Sequence, residues 1–574
     1  MTNGKIARLW LIVILVSAGA AALSQPKQTF KQKSTRVLTP DEQQVLMLIN
    51  QSAAHRDQGQ LDEAAITANR AMELARVTRM RDLEAAAYLN LGLLATHRGE
   101  NTAALKAAQQ SMLLCEIEGN LNCQANARVL LGEVYQHLGR VADAARETEI
   151  SRKFAAVVGD GQGTRNAATN QLQADGGTQE QKRSRAEALL DQTKGAAAPM
   201  DEAFALRQLG RNALESGDQE KAQKLFNEAL VRARTALNPH AEADSLVALA
   251  ELATAQRKFP AAQVLLERAL AAASKSGNQG AVGNALLRYA TVHMMVGEKA
   301  AMKTKAERAL AAYTADGQVL GQGLAQEALG DAQWAAGQRE AAETHYREAI
   351  RLAVAAGNGN NEAGARLRLA TLLRAVDHTA AMAQAEKAGA LYRRTDMKSG
   401  IAATLLEQAW IHGAAGNLAA TVDKAQKSRE LYQKIRRTDK VARADATLAM
   451  AWRMREEYEK SDEAANRAIN GYRQLSMPRE ETDALYEYAE SLGRQGKLDA
   501  ADSALERAQA IAEKGSVKLS RILVGRSLAQ NANGNPQAAL KFADEALATA
   551  RSSGNPVQIE LAQKQRSALA KAAP

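Results

Sequence analysis

The strongest constraint on this 574-residue chain is a period. Glycine or polar turn residues recur at positions 59, 99, 139, 177, 217, 257, 297, 337, 377, 416, 456, 496 and 534, so that the spacing is 40 except for two steps of 38 and one of 39. A period held through so many turns marks a repeat architecture, in which each unit packs on its neighbours instead of around one shared core. Behind Gly217 stand Ala222, Phe226 and Ala229; behind Gly337, Ala342, Tyr346 and Ala349; behind Gly496, Ala501, Leu505 and Ala508. Intervals of three and four place these side chains on one helical face. Arg257, Asp377 and Glu456 stand where glycine is missing, but Phe259, Ala262, Leu266 and Ala269 keep the frame after the first of them. Gly119-Asn120, Gly277-Asn278, Gly357-Asn358 and Gly554-Asn555-Pro556 punctuate the ends of second helices. Each period therefore reads as a helical hairpin. Alanine forms about a fifth of the chain while aromatic residues are 4% and prolines number 9, a composition that suits helices and excludes an all-β fold. The fold class expected is all-α, a solenoid of stacked hairpins.

Charge and punctuation divide the chain. The net charge is +10, of which Lys5 and Arg8 lie in a removable leader, and the remaining excess is too dilute to imply nucleic acid. Those two cations precede the apolar run Leu9 to Val16 and the small-residue stretch Ser17 to Ser24, the three-part form of a secretory signal. Residues 1–24 are thus expected to be a signal peptide and the protein to be exported, periplasmic or extracellular. The alternative is an uncleaved N-terminal membrane anchor, although Leu9 to Leu23 is only 15 residues where a spanning helix needs ~20. Residues 25–40 read as a flexible basic tether and 41–158 as the first three repeats. Clustered glycines at 159, 161, 163, 176 and 177 make 159–199 a degenerate repeat or hinge. The repeats resume over 200–556, and 557–574, with Ile559, Leu561 and Leu569, reads as a capping helix.

The order seen in Leu209-Gly210, Ala222, Phe226, Ala229 and Pro239 resembles the tetratricopeptide repeat. That resemblance implies a right-handed superhelix of hairpins. The period departs from the usual 34 and is similar to the longer repeats of kinesin light chain and of bacterial arrays joined to a CHAT protease-like domain. Only Cys115 and Cys123 are present and both fall inside repeats, so no such domain is expected. No G-x-S-x-G or H-E-x-x-H occurs, and Gly159-x-Gly161-x-Gly163 follows no strand and reads as linker. His97 and His137, forty residues apart, lack a third ligand, and His55, His293 and His412 occupy an aromatic packing position. No catalytic residue, metal or cofactor is expected. Cys115 and Cys123 flank Gly119-Asn120 and are read either as a disulfide across the hairpin or as two buried thiols.

The resemblance also implies a ligand groove lined by the first helix of each hairpin, with the positions two before and two after the Leu-Gly step exposed to it. Carried onto this sequence, these are Arg207, Arg211, Glu251, Glu327, Asp331, Arg368, Glu407, Trp410, Glu487 and Glu490, with Glu133, Trp334, Arg374 and Arg453 nearby. Mixed signs suggest a polypeptide partner of mixed charge, and Trp334 and Trp410 suit anchoring it. Lys424, Lys427, Arg429, Lys434, Arg436, Arg437, Lys440 and Arg443 form a basic stretch expected on the outer face. The reading at this stage is an exported, non-enzymatic scaffold that binds a protein or peptide. Membrane contact is expected only through an uncleaved N-terminus or the basic face. The alternatives are a regulatory subunit whose catalytic part is on another chain, or an array that binds anionic partners through its basic face.

Overall fold

A computed structural model describes residues 38–572 except 58–59, 99, 139, 160–164, 170–178, 194–197 and 513–516. The expected signal segment and most of the tether lie outside the described residues. Alternating helices run through the rest. In order they are α1 (Pro40–Asp57), α2 (Leu61–Val77), α3 (Arg81–His97), α4 (Asn101–Ile117), α5 (Leu121–His137), α6 (Val141–Val158), α7 (Gln179–Thr193), α8 (Pro199–Glu215), α9 (Gln219–Thr235), α10 (Pro239–Ala255), α11 (Phe259–Ser276), α12 (Gln279–Val296) and α13 (Lys299–Ala315). They continue as α14 (Val319–Ala335), α15 (Arg339–Ala355), α16 (Gly359–Leu373), α17 (His378–Arg394), α18 (Lys398–Ala414), α19 (Leu418–Lys434), α20 (Thr438–Met454), α21 (Tyr458–Gln474), α22 (Pro478–Arg494), α23 (Leu498–Ile511), α24 (Val517–Ala532), α25 (Pro536–Ser553) and α26 (Pro556–Ala572). No strand occurs among the described residues. The chain is an all-α solenoid, and it falls into two compact units: Met1–Leu369 with Arg394–Asp396, and Ala370–Arg393 with Met397–Pro574.

The glycine of the Leu-Gly step has a steric cause. A methyl group at Gly210 would stand 2.4 Å from Cε1 of Phe226, and one at Gly330 would stand 2.5 Å from Cε1 of Tyr346. The aromatic ring of each second helix thus lies directly on the backbone of the first, where any side chain would collide. Alanines then line the second helix at the contact: Ala222, Ala229 and Ala233 in α9, and Ala342, Ala349 and Ala353 in α15, are all buried. Turns adopt left-handed geometry even without glycine, since Arg257 has φ 58° and Glu456 φ 62°. Asp377 is different. Its side chain accepts from the Ala380 amide at 2.9 Å and so caps α17.

Three features bear on the sequence expectations. Thr39 and Glu42 exchange hydrogen bonds at 2.8 and 3.2 Å in a capping box that opens α1, so residues 39 and 40, placed at the end of the expected tether, belong to the start of the first helix. In 159–199, α7 forms and buries Ala186 and Leu189 against Ala205 of α8, because three apolar residues at helical spacing are enough to dock a helix on an existing surface. Packing in the first unit is also not confined to neighbours: Asn101 at the start of α4 donates from Nδ2 to the carbonyl of Asp316 at the end of α13. The last helix, α26, buries Ala562 and Leu569 and leaves Gln563, Lys564 and Arg566 exposed.

Candidate partner-binding face

The residues singled out in the sequence fall on the first helices of successive hairpins, where they meet one another across the repeat. In the first unit, Arg207 on α8 reaches Asp244 on α10 at 3.2 Å, Arg211 reaches Glu251 at 3.7 Å, and Arg288 on α12 closes on the same Glu251 at 2.7 Å. Farther along, Arg368 on α16 spans Asp331 at 3.0 Å and Glu327 at 3.2 Å on α14. The Tyr346 hydroxyl donates to Asp331 at 2.7 Å from the second helix. In the second unit, Arg374 pairs with Glu407 at 2.8 Å. Arg453 pairs with Glu487 at 2.8 Å and Glu490 at 3.2 Å, and Arg521 on α24 approaches both glutamates from the other side at 3.8 and 4.0 Å. The Arg521 guanidinium also lies 3.9 Å from the centre of the Tyr486 ring.

Pairing alters the expected exposure. Arg207, Glu327 and Glu407 are buried, not open to a groove, because each is covered by its partner from the adjacent hairpin. Burial pushes the Glu327 carboxyl up to about 7 against the pull of Arg368, with Asp331 adding to the rise. Burial likewise raises Glu407, opposed by Arg374, and lifts Glu133 to about 7, opposed by Arg56. Burial would also raise Asp244, but His240, Arg207 and Arg211 together hold it below the ordinary carboxylate range. The Arg207 guanidinium is lowered by burial, with Asp244 working the other way. Charges along the face are therefore largely compensated before any partner arrives.

The two tryptophans part company. Trp334 is 37% exposed, at the same repeat position as Met294 forty residues earlier, which is also exposed. Trp410 is half-buried against Ala402, Leu406, Tyr432 and Ala444, with the Arg374 guanidinium 5.4 Å from its ring centre. It is a packing residue. Asp244, Arg288, Tyr346, Tyr486 and Arg521 were absent from the sequence-derived set. A search for the opposite charge 33 to 40 residues away would have found the first two, since Arg207 to Asp244 and Glu251 to Arg288 are both 37 apart.

In the basic stretch, Arg429 on α19 and Arg467 on α21 both bind buried Asp445, at 2.8 and 2.9 Å, while Lys427 pairs with Asp423. Arg437 and Lys440 share Asp439. Much of that basic charge is thus neutralised within the second unit. Cys115 and Cys123 form a disulfide with Cα atoms 5.4 Å apart, tying the end of α4 to the start of α5. His293 stacks on Tyr289 with ring centres 4.8 Å apart and is buried. The side chains of His97 and His137 lie outside the described residues. No described cluster of His, Cys, Asp or Glu is arranged to hold a metal ion, and no described helix is long and apolar enough to cross a membrane.

No family model matches the chain, and no curated protein matches it. Among solved structures it is similar to the Rap protein complexed with competence and sporulation factor, at 13% identity over 69% of this chain and 99% of that one, with a TM-score of 0.44. It is also similar to the APC/C hetero-tetramer Cut9-Hcn1, at 12% identity over 99% of each chain and a TM-score of 0.45. The apo form of RapI matches at 11% identity over 47% of this chain and 97% of that one, with a TM-score of 0.38.

Proposed function

We propose that this array of tetratricopeptide-like hairpins is an exported, non-enzymatic scaffold that receives a polypeptide on the face of its first helices. The observation that carries the reading is the ladder of ion pairs between hairpins, Arg207–Asp244, Arg211–Glu251–Arg288 and Arg368–Glu327/Asp331 in the first unit and Arg374–Glu407 and Arg453–Glu487/Glu490 in the second. Such pairs hold long side chains in fixed positions, so a partner that lies on them loses little additional entropy in ordering the surface. Both signs are represented, which suits a backbone with mixed-charge side chains better than a polyanion. Trp334 and Met294 supply an adaptable apolar edge beside the ladder. The Cys115–Cys123 disulfide and the N-terminal signal-like segment both accord with an oxidising compartment outside the cytoplasm.

The test is cross-linking mass spectrometry on the envelope fraction, combined with N-terminal sequencing of the mature chain. The reading expects partner cross-links on the first helices, losing yield in Trp334→Ala, and a mature chain beginning near Gln25. Cross-links confined to the outer residues of the second helices, or a chain that begins at its first residues and stays in the cytoplasm, would overturn it.

A further inference from the structure

We propose that the first unit carries an intramolecular clasp, in which the starts of α2 and α4 dock on the turns after α11 and α13 and close one superhelical turn of the array. Two contacts establish the register. Leu61 approaches Gly277, its Cδ1 lying 3.8 Å from where a methyl group would stand, and Asn101 approaches Gly317 while donating to the Asp316 carbonyl. Leu61 to Gly277 and Asn101 to Gly317 are both 216 residues apart, a little over five periods of 40. A chance touch would not recur with the same offset one repeat later.

Burial agrees. Asn101 is 4% exposed and Asp316 1%, whereas the first residues of the other described second helices are half-buried, as at Phe259 and Arg339, or exposed, as at Gln219, Lys299 and His378. Asn101 spends a side-chain donor on a backbone carbonyl at the C-terminus of α13, a group that has no intrahelical partner of its own. The Asp316 carboxyl itself faces Gly280 and Gln318, so what the clasp covers is the carbonyl. A partner would then reach the inner face of the first unit as a chain threaded from an end, or by releasing the clasp.

The geometry offers a direct test. A Cβ at Gly317 would stand 3.9 Å from that of Asn101, within the span of a disulfide. The left-handed φ of 65° at Gly317 does not forbid a side chain, because Leu237, Arg436 and Ser476 hold φ of 51°, 54° and 52° at the corresponding turns. In the full-length protein with both Asn101→Cys and Gly317→Cys, mild oxidation should join residues 101 and 317 in most molecules, as mapped by peptide mass spectrometry. Asn101→Cys with Gly357→Cys, one repeat out of register, should stay reduced. Equal linkage in the two pairs, or none in either, overturns the clasp. A second measurement leaves the seam residues native: spin labels at Glu63→Cys and Lys275→Cys should give one short, narrow distance distribution. A long or broad one overturns the proposal whatever the cross-linking shows.

Discussion

Replacing Asp316 with asparagine should stabilise the first unit at neutral pH and do nothing at pH 4. Asp316 is the C-cap residue of α13 and 1% exposed, and burial pushes its carboxyl up to about 6 from an ordinary 3.8. The Gln318 amide and the Gly280 N–H face it and pull the other way without restoring the lost hydration; Tyr313 is the titratable group beside it. Because the folded state holds the proton more tightly than the unfolded one, stability is greatest below the unfolded value near 3.8. It declines as pH rises to about 6 and is flat above that. The gap between the two values corresponds to about 3 kcal/mol, or roughly two orders of magnitude in local opening. Asparagine removes the titration, keeps an oxygen for the Gly280 amide and preserves the volume. Long arrays do not unfold in one step, so the appropriate assay is hydrogen exchange at the amides of α12 and α13 between pH 4 and 8, corrected for intrinsic rate. The reasoning fails if the native protein and Asp316→Asn show parallel pH profiles, or if the variant is less protected at pH 7.5.

The packing account makes Gly330→Ala costly, by about 1–3 kcal/mol, since the methyl group would strike the Tyr346 ring; combining it with Tyr346→Leu should recover much of that loss in a double-mutant cycle read by hydrogen exchange over α14 and α15. Arg368→Met strips the counter-charge from Glu327 and Asp331 and should cost about 1–2 kcal/mol at pH 8, discounted because the Arg368 side chain is 40% exposed. That deficit should shrink as pH falls below 7 and Glu327 takes up its proton, as hydrogen exchange over α14 would register. Trp334→Ala should weaken partner capture by about 2 kcal/mol with helicity unchanged, whereas Trp410→Ala should lower the melting temperature, because only the second ring packs in a core cluster. Equal effects of the two on both readouts would remove the distinction between contact and core.

Hairpin number, helix order and the places of the turns were legible in the sequence, because local causes decide them. Alanine and aromatic residues at helical spacing choose the buried face, and glycine under the ring of Phe226 or Tyr346 answers a clash within one hairpin. The candidate face was legible as a set of positions but not in its chemistry. Arg207, Glu327 and Glu407 looked like free charges because their partners lie a whole repeat away, at an offset set by how far one hairpin is displaced against the next. Residues such as Arg288 and Arg521 carried no motif at all and acquired a role only from the glutamates that stacking brought to them. The docking of Leu61 and Asn101 on turns 216 residues on is farther still from local determination. Small rotations between hairpins accumulate over five repeats, and only their sum decides whether the chain meets itself.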